Sequence, residues 1–283
     1  MTTKVVWFPA WTCQNYTFGE SFGKKCPYCP YSLNIKTNRL IFDNKETSSD
    51  ERADAQDLAD FFNSNYEAMG GHLEISGGEA LLREDIDAIL CAIHHNWSIT
   101  SNTLKSSVIE QMIASGSINR MLNWTASWHP CSGREAEYSK NIRRLAEVHK
   151  HARATVVISR QTIAALDETK KFLHSLPLLG INWHLDTHGT QDVSDLRAAA
   201  DDVLGAGVVY LAGPPPQGKL CNRNSRLLAV GADGTLYPCV TFAYQNMQPI
   251  CKVNKDVMIE SLPQITEWCG EQCFACCDHI KHA

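Results

Sequence analysis

No apolar run in this chain approaches the length of a membrane-spanning helix. There is no basic surplus either. The 26 Lys and Arg residues face 31 Asp and Glu, a formal net charge of −5 with both signs mixed along the chain. Lys24-Lys25 is too short to be a nucleic-acid footprint, so no nucleic-acid partner is expected. From Met1 to Trp11 a single charge is followed by an apolar stretch too short for a signal peptide. The expectation is a cytoplasmic chain with no membrane contact. Cysteine, by contrast, is plentiful: twelve residues in 283. Without a secretory signal in a chain this size, metal binding or catalysis explains them better than disulfides.

Strand and helix patterns alternate through the first three quarters. Val5-Val6-Trp7-Phe8 reads as a first strand. Ser48-x-x-Glu51 reads as a capping box before a helix from about Asp50 to Tyr66. His72 to Ile75, Trp97 to Thr100, Met121 to Ala126, Thr155 to Ser159 and Ile181 to Asp186 read as further strands. Helical spacing lies between them, with apolar positions such as Ile86, Ile89 and Leu90, or Ile142, Leu145 and Val148. Cys91 falls in such a helix and is expected to be buried as a small hydrophobe. Val193 to Leu204 gives the last helix of the series. Repeated βα units of this kind imply an α/β fold with a parallel sheet, whose chemistry sits at the carboxyl ends of the strands. The polar groups fall there: Gly77-Gly78-Glu79, Ser101-Asn102, Ser127, Arg160 and Asp186. Gly213-Pro-Pro-Pro-Gln-Gly218 then reads as a linker.

The cysteines divide into two sets. Cys13, Cys26 and Cys29 share one loop after the first strand, the last two at C-x-x-C spacing. Three thiolates are one short of a closed set and would leave one iron of a cubane open. Cys26-Pro27-Tyr28-Cys29, followed downstream by Ser76-Gly77-Gly78-Glu79, resembles the radical S-adenosylmethionine (SAM) enzymes. Their usual signature has three residues in the first cysteine gap, and here there are twelve. Long first gaps also occur in 7-carboxy-7-deazaguanine synthases. The residue after the Gly-Gly-Glu motif is Ala80, where the family commonly has Pro.

The resemblance implies a partial (βα)6 barrel over residues 1–212. It implies a [4Fe-4S] cluster on Cys13, Cys26 and Cys29. It also implies SAM bound by Tyr28, Gly77, Gly78, Glu79, Ser101, Asn102, Ser127 and Arg160. An electron donor such as flavodoxin or ferredoxin goes with that chemistry.

The second set lies in residues 213–283. A hairpin turned by Asp233-Gly234 and a helix near Ile259 to Trp268 are expected there, among Cys221, Cys239, Cys273 and Cys276. By itself such a tail reads equally as a structural zinc site. After a barrel of this kind it is similar to the twitch form of the SPASM extension, and its cysteine layout resembles that of the butirosin-pathway dehydrogenase. The resemblance implies a second, auxiliary [4Fe-4S] cluster on these four cysteines, with Cys269 and Cys277 as alternatives.

The expected reaction begins with reductive cleavage of SAM and hydrogen abstraction from a small-molecule substrate, leading to alcohol oxidation. Epimerisation with Cys131 or Cys251 as hydrogen donor, and ring rearrangement as in the deazaguanine synthases, remain alternatives. So does a zinc scaffold without activity. His184, Asp186 and His188 alternate at the end of the sixth strand, so they share one face and are candidates for substrate contact or proton removal.

Overall fold

The computed structural model describes residues 2–10, 52–130, 132–160, 162–185, 193–210, 220–221, 227–240, 243, 249–262 and 267–268. Seven parallel strands follow one another in space as in sequence: β1 (Lys4–Trp7), β2 (His72–Ile75), β3 (Asn96–Ser101), β4 (Met121–Trp128), β5 (Ala152–Ile158), β6 (Gly180–Leu185) and β7 (Val209–Tyr210). Between β1 and β7 come α1 (Ala55–Ser64), α2 (Ile86–Ala92), α3 (Ser106–Ser115), α4 (Glu135–Glu147), α5 (Leu166–His174) and α6 (Ser194–Leu204). The expected α/β architecture is therefore observed. β7, two residues long, is an additional strand that the sequence pattern did not reveal.

Local chemistry sets the helix ends. α1 starts at Asp54, whose carboxylate accepts from the Gln56 and Asp57 amides at 2.7 and 3.3 Å. It therefore begins about one turn later than the Ser48 capping box predicts. α3 stops at Gly116, which adopts the left-handed conformation (φ 81°) that glycine tolerates best.

The chain after the linker adds β8 (Leu220–Cys221), β9 (Leu227–Val230), β10 (Thr235–Tyr237), β11 (Cys251–Lys252) and β12 (Glu267–Trp268). The β9–β10 hairpin turns through Asp233-Gly234 as expected. β9 pairs in parallel with β1 over four residues, and β10 and β11 extend the same sheet antiparallel. β8 and β12 form a separate antiparallel pair, with Cys221 opposite Glu267. The helix expected near Ile259 to Trp268 is not formed over the described residues of that span, 259–262 and 267–268. Ile259–Ser261 makes a single 3₁₀ turn, and Glu267–Trp268 is strand.

The main core lies between the helices and one face of the sheet. Val5, Trp7, Leu73, Ile75, Trp97, Ile99, Trp124, Ala126, Trp128, Val156, Ile158, Trp183 and Leu185 alternate along the strands toward it. Phe61, Phe62, Ile89, Met112, Ile142 and Leu173 meet them from the helices. Each such large side chain contributes roughly 1.5–3 kcal/mol by leaving water. Cys91 departs from expectation: it is exposed near the end of α2, because the buried stripe there is Ile86, Ile89 and Leu90.

Candidate active site

Strand alternation puts a different set of residues on the other face of the sheet. Glu74 neighbours Ser98, which neighbours Asn123; Thr100 neighbours Thr125, and Thr125 neighbours Arg153. Ser127 neighbours Thr155, Thr155 neighbours Asn182, and Val157 neighbours His184. Most of these side chains are half-buried or exposed. A sheet with an apolar helix side and a hydroxyl- and amide-rich opposite side presents a polar binding surface rather than a second packed core. At the β1–β9–β10 end this face turns apolar, where Val6, Phe8, Leu227, Ala229, Tyr237, Val240 and Ala243 form a small cluster.

The Gly-Gly-Glu loop follows β2 at the carboxyl end of the sheet. Ser76 and Gly78 donate backbone hydrogen bonds to the carbonyls of Trp7 and Ala10 (2.9 and 3.2 Å), so the loop lies against the exit of β1. Gly77 has φ +119°, and a Cβ there would sit 2.8 Å from the Phe8 ring and 3.2 Å from the Ala10 carbonyl oxygen. Gly77→Ala is therefore expected to destabilise the protein by about 1–3 kcal/mol through backbone strain alone, read as a lower midpoint in chemical denaturation.

Glu79 turns inward and is 1% exposed. Its Oε1 accepts from the Ser101 hydroxyl (2.6 Å) and the Leu81 amide (3.1 Å), and its Oε2 accepts from the Asn102 amide (2.7 Å). Burial pushes its carboxyl above the ordinary range, against the pull of these three donors and of Lys105. The carboxylate thus ties the loop after β2 to the loop after β3.

Ser101 and Asn102 are brought together with Glu79, in different roles. Ser101 lies on the helix side and also accepts from the Thr103 amide (2.9 Å). Asn102 is 3% exposed; its Oδ1 accepts from the Leu104 amide (3.1 Å), which fixes the orientation of the carboxamide. Among the described residues its Nδ2 has no hydrogen-bond partner. Such a buried orphan donor costs about 1–3 kcal/mol unless an acceptor is supplied. A ligand carboxylate or hydroxyl oxygen has the required chemistry.

Three residues around this turn carry roles that sequence reasoning missed. Thr103 has φ 63°, Trp124 Nε1 donates to its Oγ1 (3.0 Å), and Asn141 Nδ2 donates to its carbonyl (2.7 Å). One signal was available: Asn141 is a polar residue within the buried stripe Tyr138, Ile142 and Leu145 of α4.

Ser127 lies apart from Ser101, on the polar face beside Thr155. Arg160 is exposed just beyond β5, within a turn whose ends are joined by the Ser159 amide donating to Thr162 Oγ1 (2.8 Å). Burial pushes the His129 imidazole down to about 4, and it also lowers that of His184. Cys251 shares a row with Leu236 and packs against the helix-side core, where burial raises its thiol. It is thus on the other side of the sheet from Thr100 and Ser127. Cys239 is buried, and Cys221 lies in β8. Cys13, Cys26, Tyr28, Cys29, Cys131, Asp186, His188, Cys269, Cys273, Cys276 and Cys277 lie outside the described residues.

No family model and no curated protein matches the chain. Solved structures with the same fold do. Streptococcus suis SuiB bound to S-adenosylmethionine superposes with a TM-score of 0.56 at 16% identity, covering 88% of this chain and 63% of SuiB. SuiB bound to its precursor peptide SuiA gives a TM-score of 0.60 at 16% identity, covering 92% and 64%. The chain spans less than two thirds of the SuiB length. The class defined here is therefore an α/β fold of the SuiB type. Among the described residues, no helix is long and apolar enough to cross a membrane.

Proposed function

We propose that the chain is a radical SAM enzyme. The observation that carries this reading is the convergence at the carboxyl end of β2 and β3. Gly77 and Gly78 approach β1 closely, Glu79 is locked to the β3 loop, and Asn102 offers an unmet donor, all on the scaffold on which SuiB was solved with S-adenosylmethionine. The sequence after β1 carries Cys13, Cys26 and Cys29. A [4Fe-4S] cluster on these thiolates would supply the electron that cleaves SAM to methionine and a 5′-deoxyadenosyl radical. The protein's part is to hold the amino-acid end of SAM at Gly77, Gly78 and Asn102, and to present substrate on the polar face that includes Ser127.

Cys221, Cys239, Cys273 and Cys276 are proposed to hold an auxiliary cluster that accepts the second electron in alcohol oxidation. Pairing of Cys221 with Glu267 supports a site drawn from both segments, because Cys269 follows Trp268 directly in the chain. A small alcohol is the first substrate class. A peptide is the second, favoured by SuiB having been solved with a precursor peptide on the same fold.

Protein reconstituted anaerobically with iron and sulfide, reduced and given SAM is expected to form 5′-deoxyadenosine. Cys26→Ala is expected to form none. Absence of product from wild type, together with stoichiometric zinc, would sink the proposal.

A further inference from the structure

Thr103 is a β-branched residue in the left-handed region, at φ 63° and 0% exposed. That conformation is costly, and it persists where the surroundings over-determine it. Here β4 and α4 supply the constraint, through Trp124 Nε1 on its hydroxyl and Asn141 Nδ2 on its carbonyl. Asn141 is itself fixed, because its Oδ1 accepts from the Ser106 hydroxyl (2.7 Å) at the start of α3. On the other side Glu79 holds the Asn102 amide, and Leu104 holds the Asn102 Oδ1. What all these bonds leave free is Asn102 Nδ2.

We infer that Thr103, Trp124 and Asn141 are positioning residues that hold the Asn102 carboxamide as a preset donor to an oxygen of the bound adenosyl-sulfonium ligand. The inference rests on the reading of the chain as a SAM enzyme. A donor already fixed loses little freedom when the ligand arrives, so its bond contributes to affinity rather than to ordering the loop. Strand alternation supports the assignment, since Asn102 follows Ser98 and Thr100 in the parity of the polar face.

A double-mutant cycle on the cluster-loaded protein tests this. The readouts are SAM affinity by equilibrium binding and the change in the reduced cluster's EPR signal on adding SAM. Asn102→Ser keeps an acceptor for the Leu104 amide and removes the carboxamide donor; Trp124→Phe keeps an aromatic ring and removes the bond to Thr103. Each single change is expected to weaken binding about tenfold, and the pair no more than Asn102→Ser alone. Asn141→Asp, which removes the other bond to Thr103, replaces Trp124→Phe should that variant lose its cluster. Equal weakening by the second-site change in both backgrounds, or no effect of Asn102→Ser, would overturn the inference. Wild-type protein that carries its cluster and binds no SAM would overturn the functional reading with it.

Discussion

Arg83→Ala is expected to destabilise the protein by about 3 kcal/mol through the cavity and the lost buried hydrogen bonds, which for a chain of this size lowers the melting temperature by roughly 10 °C. Arg83 is 0% exposed. Its guanidinium pairs with Asp85 (2.7 and 3.0 Å) and donates to the carbonyls of Ala53 (2.7 Å) and Ala232 (3.3 Å). It also lies 5.6 Å from the centre of the Trp7 ring. Ala53 leads into α1, Ala232 sits in the β9–β10 turn, and Arg83 ends the short turn that begins at Glu79. One side chain therefore fastens three segments distant in sequence beside β1. Alanine leaves a cavity and takes the guanidinium donor from the Ala53 carbonyl, while the Ala232 carbonyl keeps only the Ala53 amide (3.0 Å). Lysine keeps the charge but not the planar fork, so Arg83→Lys is expected to cost about 2 kcal/mol. Differential scanning calorimetry of both variants checks the order; a shift below 2 °C for Arg83→Ala would show that the three segments are held by other contacts.

Glu79→Ala is expected to cost about 3 kcal/mol, because two backbone amides and the Ser101 hydroxyl lose their buried acceptor together. The pH dependence separates this from simple loss of volume. Burial raises the folded-state pKa of Glu79 above its unfolded value near 4.5. The folded state then binds the proton more tightly than the unfolded state. Stability from this group is fullest below pH 4.5 and falls as pH rises through the folded pKa. Urea denaturation across that range is expected to show the fall in wild type and a flatter profile in Glu79→Gln. Identical profiles would mean that Glu79 titrates alike in both states.

Much of this was legible before the fold was known. Short apolar or β-branched runs in Val5 to Phe8, Trp97 to Thr100 and Thr155 to Ser159 marked strands, and the 3.6-residue spacing of Ile86, Ile89 and Leu90 marked a helix, because a helix buried on one face leaves that period in the sequence. The grouping of Gly77, Glu79, Ser101 and Asn102 followed from their places at strand ends. β7 escaped because two residues carry no measurable period. The helix expected near Trp268 gave way to strand because β8 offered an antiparallel partner, and pairing overrode local preference.

By itself the sequence determined the order of βα units, the end of the sheet at which polar chemistry gathers, and the cysteine sets that carry the radical SAM resemblance. Each is a local pattern or a spacing along one chain. The tertiary structure decided that Glu79 locks two loops rather than facing the polar side, that Cys251 lies with the helix-side core, and that β9 joins β1. It also decided that Thr103 is bent into a left-handed turn by Trp124 and Asn141. These depend on strand register and on contacts between residues far apart in sequence, where the side of the sheet a side chain takes is set by its neighbours and leaves no periodic trace.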